Sequence, residues 1–140
     1  MAIDSNSIRQ AAAIPMRSGQ ICLVTSRSGK RWVIPKGCIE PGKTAGEIAL
    51  QEAWEEAGLT GILHRDPIGS YLYEKLGLTH HVIVFLMQVT DIADAWPENS
   101  VRERAWLSRS QALLRIEDPG LRDLLRVTTA EKNGKRVKIS

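Results

Sequence analysis

The chain has 140 residues, 43% of them hydrophobic, 25% charged and 5% aromatic, with a formal net charge of +3. That length suits a single domain whose core needs no disulfide staples, and the balance excludes a disordered chain. No apolar run is long enough to span a bilayer, and the polar start MAIDSNSIRQ lacks the apolar stretch of a secretory signal.

In chain order, Ala11 to Met16 and Ile21 to Thr25 are short apolar runs separated by Ser18-Gly19, the pattern of a strand pair. Arg27 to Lys30 reads as a turn. Trp32 to Ile34 reads as a short strand stopped by Pro35, and Gly37 to Gly42 as a loop punctuated by glycine and proline. Thr44 is placed to cap a helix, with Glu47 three residues on as in a capping box, and Gly58 is placed to end it after Ala57. Leu50, Ala53, Trp54 and Ala57 recur at helical spacing and are the expected buried stripe. Gly61 to Leu63 and Ile68 to Tyr73 look like strands. His81 to Val89 is almost continuously apolar, as in a central strand covered on both faces. A polar connection from Asp91 to Arg102 leads to a strand at Ala105 to Leu107. Ser108 then caps a short helix, and Asp118 or Pro119 opens a last one. Strands interrupted by helices imply a mixed α/β domain.

The whole charge excess lies at the end. Lys132, Lys135, Arg136 and Lys138 against Glu131 give residues 131–140 a charge of +3, so residues 1–130 are neutral. We therefore expect one domain over 1–130 and a solvated basic tail over 131–140, which gives the domain itself little claim on nucleic acid. Cys22 and Cys38 fit no metal spacing and read as packing residues of a reducing, cytoplasmic compartment.

Glu52, Glu55 and Glu56 stand at i, i+3 and i+4 on the first helix, which makes them neighbours on one face. Without a cation each carboxylate raises the others' pKa; a divalent ion reverses that repulsion. The spacing alone also fits a plain solvated acidic face. What tips the balance is the turn before the helix, where Gly37 and Gly42 allow close backbone approach.

Taken together, Gly37 to Leu59 resembles the signature of the Nudix hydrolases, G-x5-E-x7-R-E-U-x-E-E-x-G-U, where U is aliphatic. Gly37, Glu52, Glu55, Glu56, Gly58 and Leu59 match in register. Lys43 replaces the first motif glutamate, Gln51 the motif arginine, and Ala53 a larger aliphatic. In the family that glutamate and arginine tie the loop to the helix by charge; Glu47, four residues from both Lys43 and Gln51, is the expected substitute partner for Lys43. Residues 8–127, including Ala95 to Glu98 and Arg102 to Leu107, resemble the diphosphoinositol-polyphosphate and diadenosine-polyphosphate branch.

The resemblance implies the Nudix fold, a mixed sheet sandwiched between helices (α/β/α), and a pyrophosphohydrolase using Mg²⁺ or Mn²⁺ on a small-molecule phosphoanhydride. It implies Glu52, Glu55 and Glu56 as catalytic residues and metal ligands, with the backbone carbonyl of Lys36 as a further ligand and Glu52 serving the attacking water. Substrate phosphates would meet Arg17, Arg27, Lys36, Gly37, Arg102 and Arg104. Tyr71, Tyr73 and Trp96 read first as core or rim residues, and His80 and His81 as strand-end residues. Two alternatives stand beside this reading: a nucleotide sensor that does not hydrolyse, favoured by Lys43 and Gln51, and removal of pyrophosphate from RNA 5′ ends, favoured by the basic tail.

Overall fold

A computed structural model describes residues 7–134. In chain order its elements are β1 (Ser7–Arg17), β2 (Gln20–Thr25), β3 (Trp32–Val33), β4 (Lys36–Cys38), α1 (Ala45–Ala57), β5 (Leu59–Leu63), β6 (Gly69–Lys75), β7 (Leu78–Ile92), β8 (Arg104–Leu107), α2 (Arg109–Arg115) and α3 (Pro119–Gly134). The strands form one eight-stranded mixed sheet. Lys135, Arg136 and Lys138 of the expected basic tail lie outside the described residues.

The spine is β1 lying parallel to β7, in register from Ser7↔Thr79 to Met16↔Gln88. β7 is the central strand, with β1 on one side and β6 and β5 sharing the other. Its side chains alternate. Val82, Val84 and Leu86 enter one core; Phe85, Met87 and Val89 enter the other. Both faces are thus covered, as the continuous apolar run implied. Ala11, Ala12 and Ala13 of β1 are fully buried, alternating between the same two cores. Their small size lets α1 lie close on one face while α2 and α3 cover the other, completing an α/β/α sandwich.

Two tight hairpins set the registers. Ser18 and Gly19 (φ 53° and 79°) join β1 to β2, and Leu76 and Gly77 (φ 55° and 77°) join β6 to β7. Both central residues of each turn are left-handed, which matches the twist of the flanking strands. The first hairpin follows from the sequence; the second hides behind a leucine in a left-handed position.

α1 forms as its signals imply. Thr44 and Glu47 complete a reciprocal capping box, with bonds of 3.1 Å and 2.9 Å, and Gly58 closes the helix at φ 69°. The buried stripe differs from the one expected: Ile48, Ala49, Ala53 and Ala57 pack on the sheet, Leu50 is half-buried, and Trp54 is 40% exposed. Small residues face the alanines of β1, and the larger Trp54 is displaced to the rim. The expected loop from Gly37 to Gly42 also begins as a strand, because β4 pairs with β1 through Ala12↔Lys36 and Ala11↔Gly37. That pairing fixes the backbone against which the acidic helix works.

Candidate active site

The carboxylates of α1 do not form a uniform solvated face. Glu56 is only 6% exposed, while Glu52 and Glu55 are half-buried. Glu52 leans onto the backbone of Gly37: a Cβ built on that glycine would lie 2.5 Å from Glu52 Cδ and 2.6 Å from Oε2. The glycine is therefore the space the carboxylate occupies. Glu56 accepts from the Lys36 backbone N–H at Oε1 (3.4 Å) and faces the Arg102 guanidinium at Oε2 (3.4 Å). Burial pushes the Glu56 carboxyl up to about 8, partly offset by Arg102, and burial also raises that of Glu52, each acid bearing on the other.

Two adjacent, desolvated carboxyls of raised pKa are a hard-oxygen donor pair that a divalent cation would satisfy. Glu55 adds negative charge beside Glu52. Among the described residues no group of three or more His, Cys, Asp or Glu is gathered closely enough to hold an ion as it stands. The geometry thus fits a divalent cation on the Glu52–Glu56 pair, with Glu55 the third carboxylate of the same helical face.

The tie between loop and helix is direct. Lys43 Nζ donates to Gln51 Oε1 at 2.7 Å, and Gln51 Nε2 lies 3.5 Å from Glu52 Oε2. Glu47 is not the partner of Lys43; its carboxylate is held by the N–H of Thr44 in the capping box. Lys43 and Gln51 keep a donor–acceptor contact where the family pattern has opposite charges.

Of the cations singled out in the sequence, Arg102 comes nearest the acids. It is anchored by Glu98 (2.9 Å) and the Thr25 carbonyl (2.9 Å). Arg27 joins the same network from the exterior, donating to Glu98 at 3.2 Å. Arg17 sits at the distal end of β1, on the order of 20 Å along the strand from Ala11, the partner of Gly37. Arg104 is turned onto protein, donating to the carbonyls of Ala57 and Ala93 and lying 4.1 Å from the ring of Trp96.

Lys36 points to the opposite side of β4 from the Glu52 contact at Gly37. It lines a cavity of about 320 Å³ walled by Trp32, Tyr71 and Tyr73, with Arg31 and Lys75 as further cations and Glu74, Glu117 and Asp118 as acids. Its ammonium is 5.3 Å from the Tyr73 ring, and burial lowers its pKa, opposed by Glu56. Tyr73 is itself fixed by stacking on His80 at 4.5 Å and by donating to Gln10 at 2.8 Å. Sequence reasoning passed over Lys75. Its signal is the period-two alternation Tyr71, Tyr73, Lys75, which puts all three on one face of β6.

A mixed sheet between helices, with a pair of buried acids on α1 backed by a glycine of β4, defines an α/β/α domain. The family is definite: residues 7–127 match the NUDIX domain, and the chain belongs to that family. It is 34% identical over 130 residues to Nudix hydrolase 13, mitochondrial, of Arabidopsis thaliana, covering 83% of this chain and 64% of that protein. It is 32% identical over 111 residues to Diphosphoinositol polyphosphate phosphohydrolase 2 of Mus musculus, covering 75% and 60%. Among solved structures a C. elegans Ap4A hydrolase binary complex superposes with a TM-score of 0.79 at 23% identity, covering 91% of this chain and 99% of that one, a likeness of fold. The chain spans from 45% to 64% of the length of the first five curated relatives it matches. Among the described residues no helix is long and apolar enough to cross a membrane.

Proposed function

We propose that the chain is a divalent-metal-dependent pyrophosphohydrolase that cleaves a phosphoanhydride bond by water attack at phosphorus. The observation that carries this reading is the desolvated Glu52–Glu56 pair, Glu52 seated against the Gly37 backbone and Glu56 on the Lys36 N–H. Bound to those glutamates, Mg²⁺ or Mn²⁺ would neutralise charge on the phosphate oxygens and lower the pKa of water. Glu52 would orient the attacking water and accept its proton, Glu56 is held in place by Arg102, and the Lys36 backbone carbonyl would be a further ligand. In this reading the substrate phosphates meet the Lys36 side chain, which lines the cavity, and Gly37, Arg27 and Arg102 on the side of the acids.

The cavity favours a dinucleoside polyphosphate as the substrate class. Trp32, Tyr71 and Tyr73 offer flat apolar walls for a base, while Glu117 and Asp118 can accept from its amino groups. Those acids would repel a heavily phosphorylated ring. A diphosphoinositol polyphosphate is the second reading, favoured by the cation trio Arg31, Lys36 and Lys75 and by the printed name of the mouse relative. The two unpaired cysteines, Cys22 and Cys38, accord with a cytoplasmic location.

The test is a hydrolysis panel with and without Mg²⁺ or Mn²⁺: diadenosine polyphosphates, diphosphoinositol polyphosphates, nucleotide sugars and triphosphorylated RNA. Glu56→Gln serves as the control. We expect metal-dependent cleavage of a diadenosine polyphosphate, nearly abolished in Glu56→Gln with the fold intact. Turnover of that variant at the wild-type rate would overturn the catalytic assignment. Binding without phosphate release would select the sensor.

A further inference from the structure

The last turn of α1 carries Glu55 and Glu56, and its carbonyls are orphans that the helix cannot satisfy. Their partners come from one distant segment, residues 93–104. The Glu55 carbonyl accepts from the Glu98 N–H (3.0 Å) and the Glu56 carbonyl from Trp96 Nε1 (2.9 Å). The Ala57 carbonyl accepts from Arg104 Nη1 (2.7 Å) and the Gly58 carbonyl from the Ala93 N–H (2.9 Å). Four consecutive carbonyls are thus clamped by the connection between β7 and β8 together with Arg104, the first residue of β8.

The chemistry of the clamp is matched to a helix end. α1 has no basic residue in its own last turn. Arg104 brings the missing positive charge against the negative end of the dipole from outside the helix. Its guanidinium stacks on Trp96 at 4.1 Å, so the two donors hold each other in place. Gly58 is the socket: a Cβ there would lie 2.9 Å from both Arg104 Nη1 and the Trp96 ring. Trp96 is in turn fixed by its backbone N–H donating to Asn99 Oδ1 at 2.9 Å.

We propose that Trp96 and Arg104 are positioning residues for the catalytic helix. They set where the Glu55 and Glu56 carboxylates stand by locking the backbone that carries them, and neither touches substrate. This rests on the hydrolase reading for its effect on rate, but not for its effect on the metal. A misplacement of ~1 Å in a reacting geometry lowers turnover by up to about a hundredfold, so a loosened clamp is felt at the site.

The decisive variant is Trp96→Phe, which deletes one N–H donor and keeps the ring stack. Arg104→Lys keeps the charge and removes the planar fork. Each is measured for kcat and KM on a hydrolysed member of the panel, for Mn²⁺ affinity by titration calorimetry, and for Tm. We expect kcat to fall by ~10- to 100-fold with KM unchanged, and Mn²⁺ affinity to weaken in parallel. A Trp96→Phe protein that melts lower but keeps wild-type kcat and Mn²⁺ affinity would reduce the clamp to a structural cap and overturn the proposal. So would a raised KM at constant kcat in Arg104→Lys, the mark of a substrate contact. Should Arg104→Lys not fold, Trp96→Phe decides. If wild-type protein cleaves nothing in the panel yet Trp96→Phe weakens Mn²⁺ binding, the clamp stands and the hydrolase reading falls.

Discussion

Replacing Gly37 with alanine separates function from stability at one atom. The new Cβ would stand 2.5 Å from Glu52 Cδ, against the 3.4 Å at which ordinary contact begins. The carboxylate must therefore withdraw by about 0.9 Å. The obstruction is the end of a flexible side chain and Gly37 has no left-handed φ, so the backbone accepts alanine. An off-rotamer Glu52 costs about 0.5–1.5 kcal/mol, and the reduced freedom of the unfolded chain returns about 0.4–1 kcal/mol. Net stability should change by less than ~1 kcal/mol, a few degrees in Tm. A displacement of ~1 Å in a catalytic carboxylate, by contrast, lowers turnover about a hundredfold, ~2.7 kcal/mol in the barrier. Thermal melts with metal-dependent kinetics on the same preparation measure both. A Gly37→Ala protein with wild-type turnover would refute the role of Glu52, and a collapse of Tm would show that the contact holds the fold instead.

In the metal-free chain Glu56 carries a folded pKa of about 8 against an ordinary 4.5, so the folded state binds a proton that the unfolded state releases. The associated stability is full below about pH 4.5 and is lost as pH rises through about 8; melts across that window should show the decline, and Glu56→Gln should flatten it. Added Mg²⁺ must displace the same proton, so its increment in Tm should grow over the same pH range; an increment independent of pH would place the ion elsewhere. Gly58→Ala forces a left-handed φ of 69° on alanine and drives a Cβ into Arg104 and Trp96, so chemical denaturation should register a loss of at least ~1–2 kcal/mol. The Lys43–Gln51 contact is partly exposed, and Lys43→Ala should lose no more than ~1 kcal/mol. The exchange Lys43→Glu with Gln51→Arg should recover that loss, with a double-mutant cycle in urea measuring the coupling.

The fold was legible where local chemistry and periodicity agreed. The capping box at Thr44, the stop at Gly58 and the continuous apolar run of β7 each depend on neighbours in the chain. The buried stripe of α1 was misjudged at Trp54 because helical spacing says which residues share a face and nothing about what that face meets. Ala11 and Ala13 of β1 leave room for Ala49 and Ala53 and none for an indole. The strand at Gly37 was invisible for a similar reason: a three-residue pairing with β1 has no periodicity of its own.

Arg102 and Arg104 show where a sequence reading of a phosphate site must stop. They alternate on one extended segment, and spacing treats them alike. β8 pairs with β2, and that pairing delivers Arg104 to the C-terminal end of α1, where unpaired carbonyls compete for its donors. A guanidinium spent on a helix end is no longer available to a phosphate. Arg102 is carried instead to Glu56 and Glu98, where its charge bears on a carboxylate that burial would otherwise neutralise. Which arginine joins the acids and which caps the helix is decided by the unsatisfied groups at the destination, and those are created by the tertiary fold.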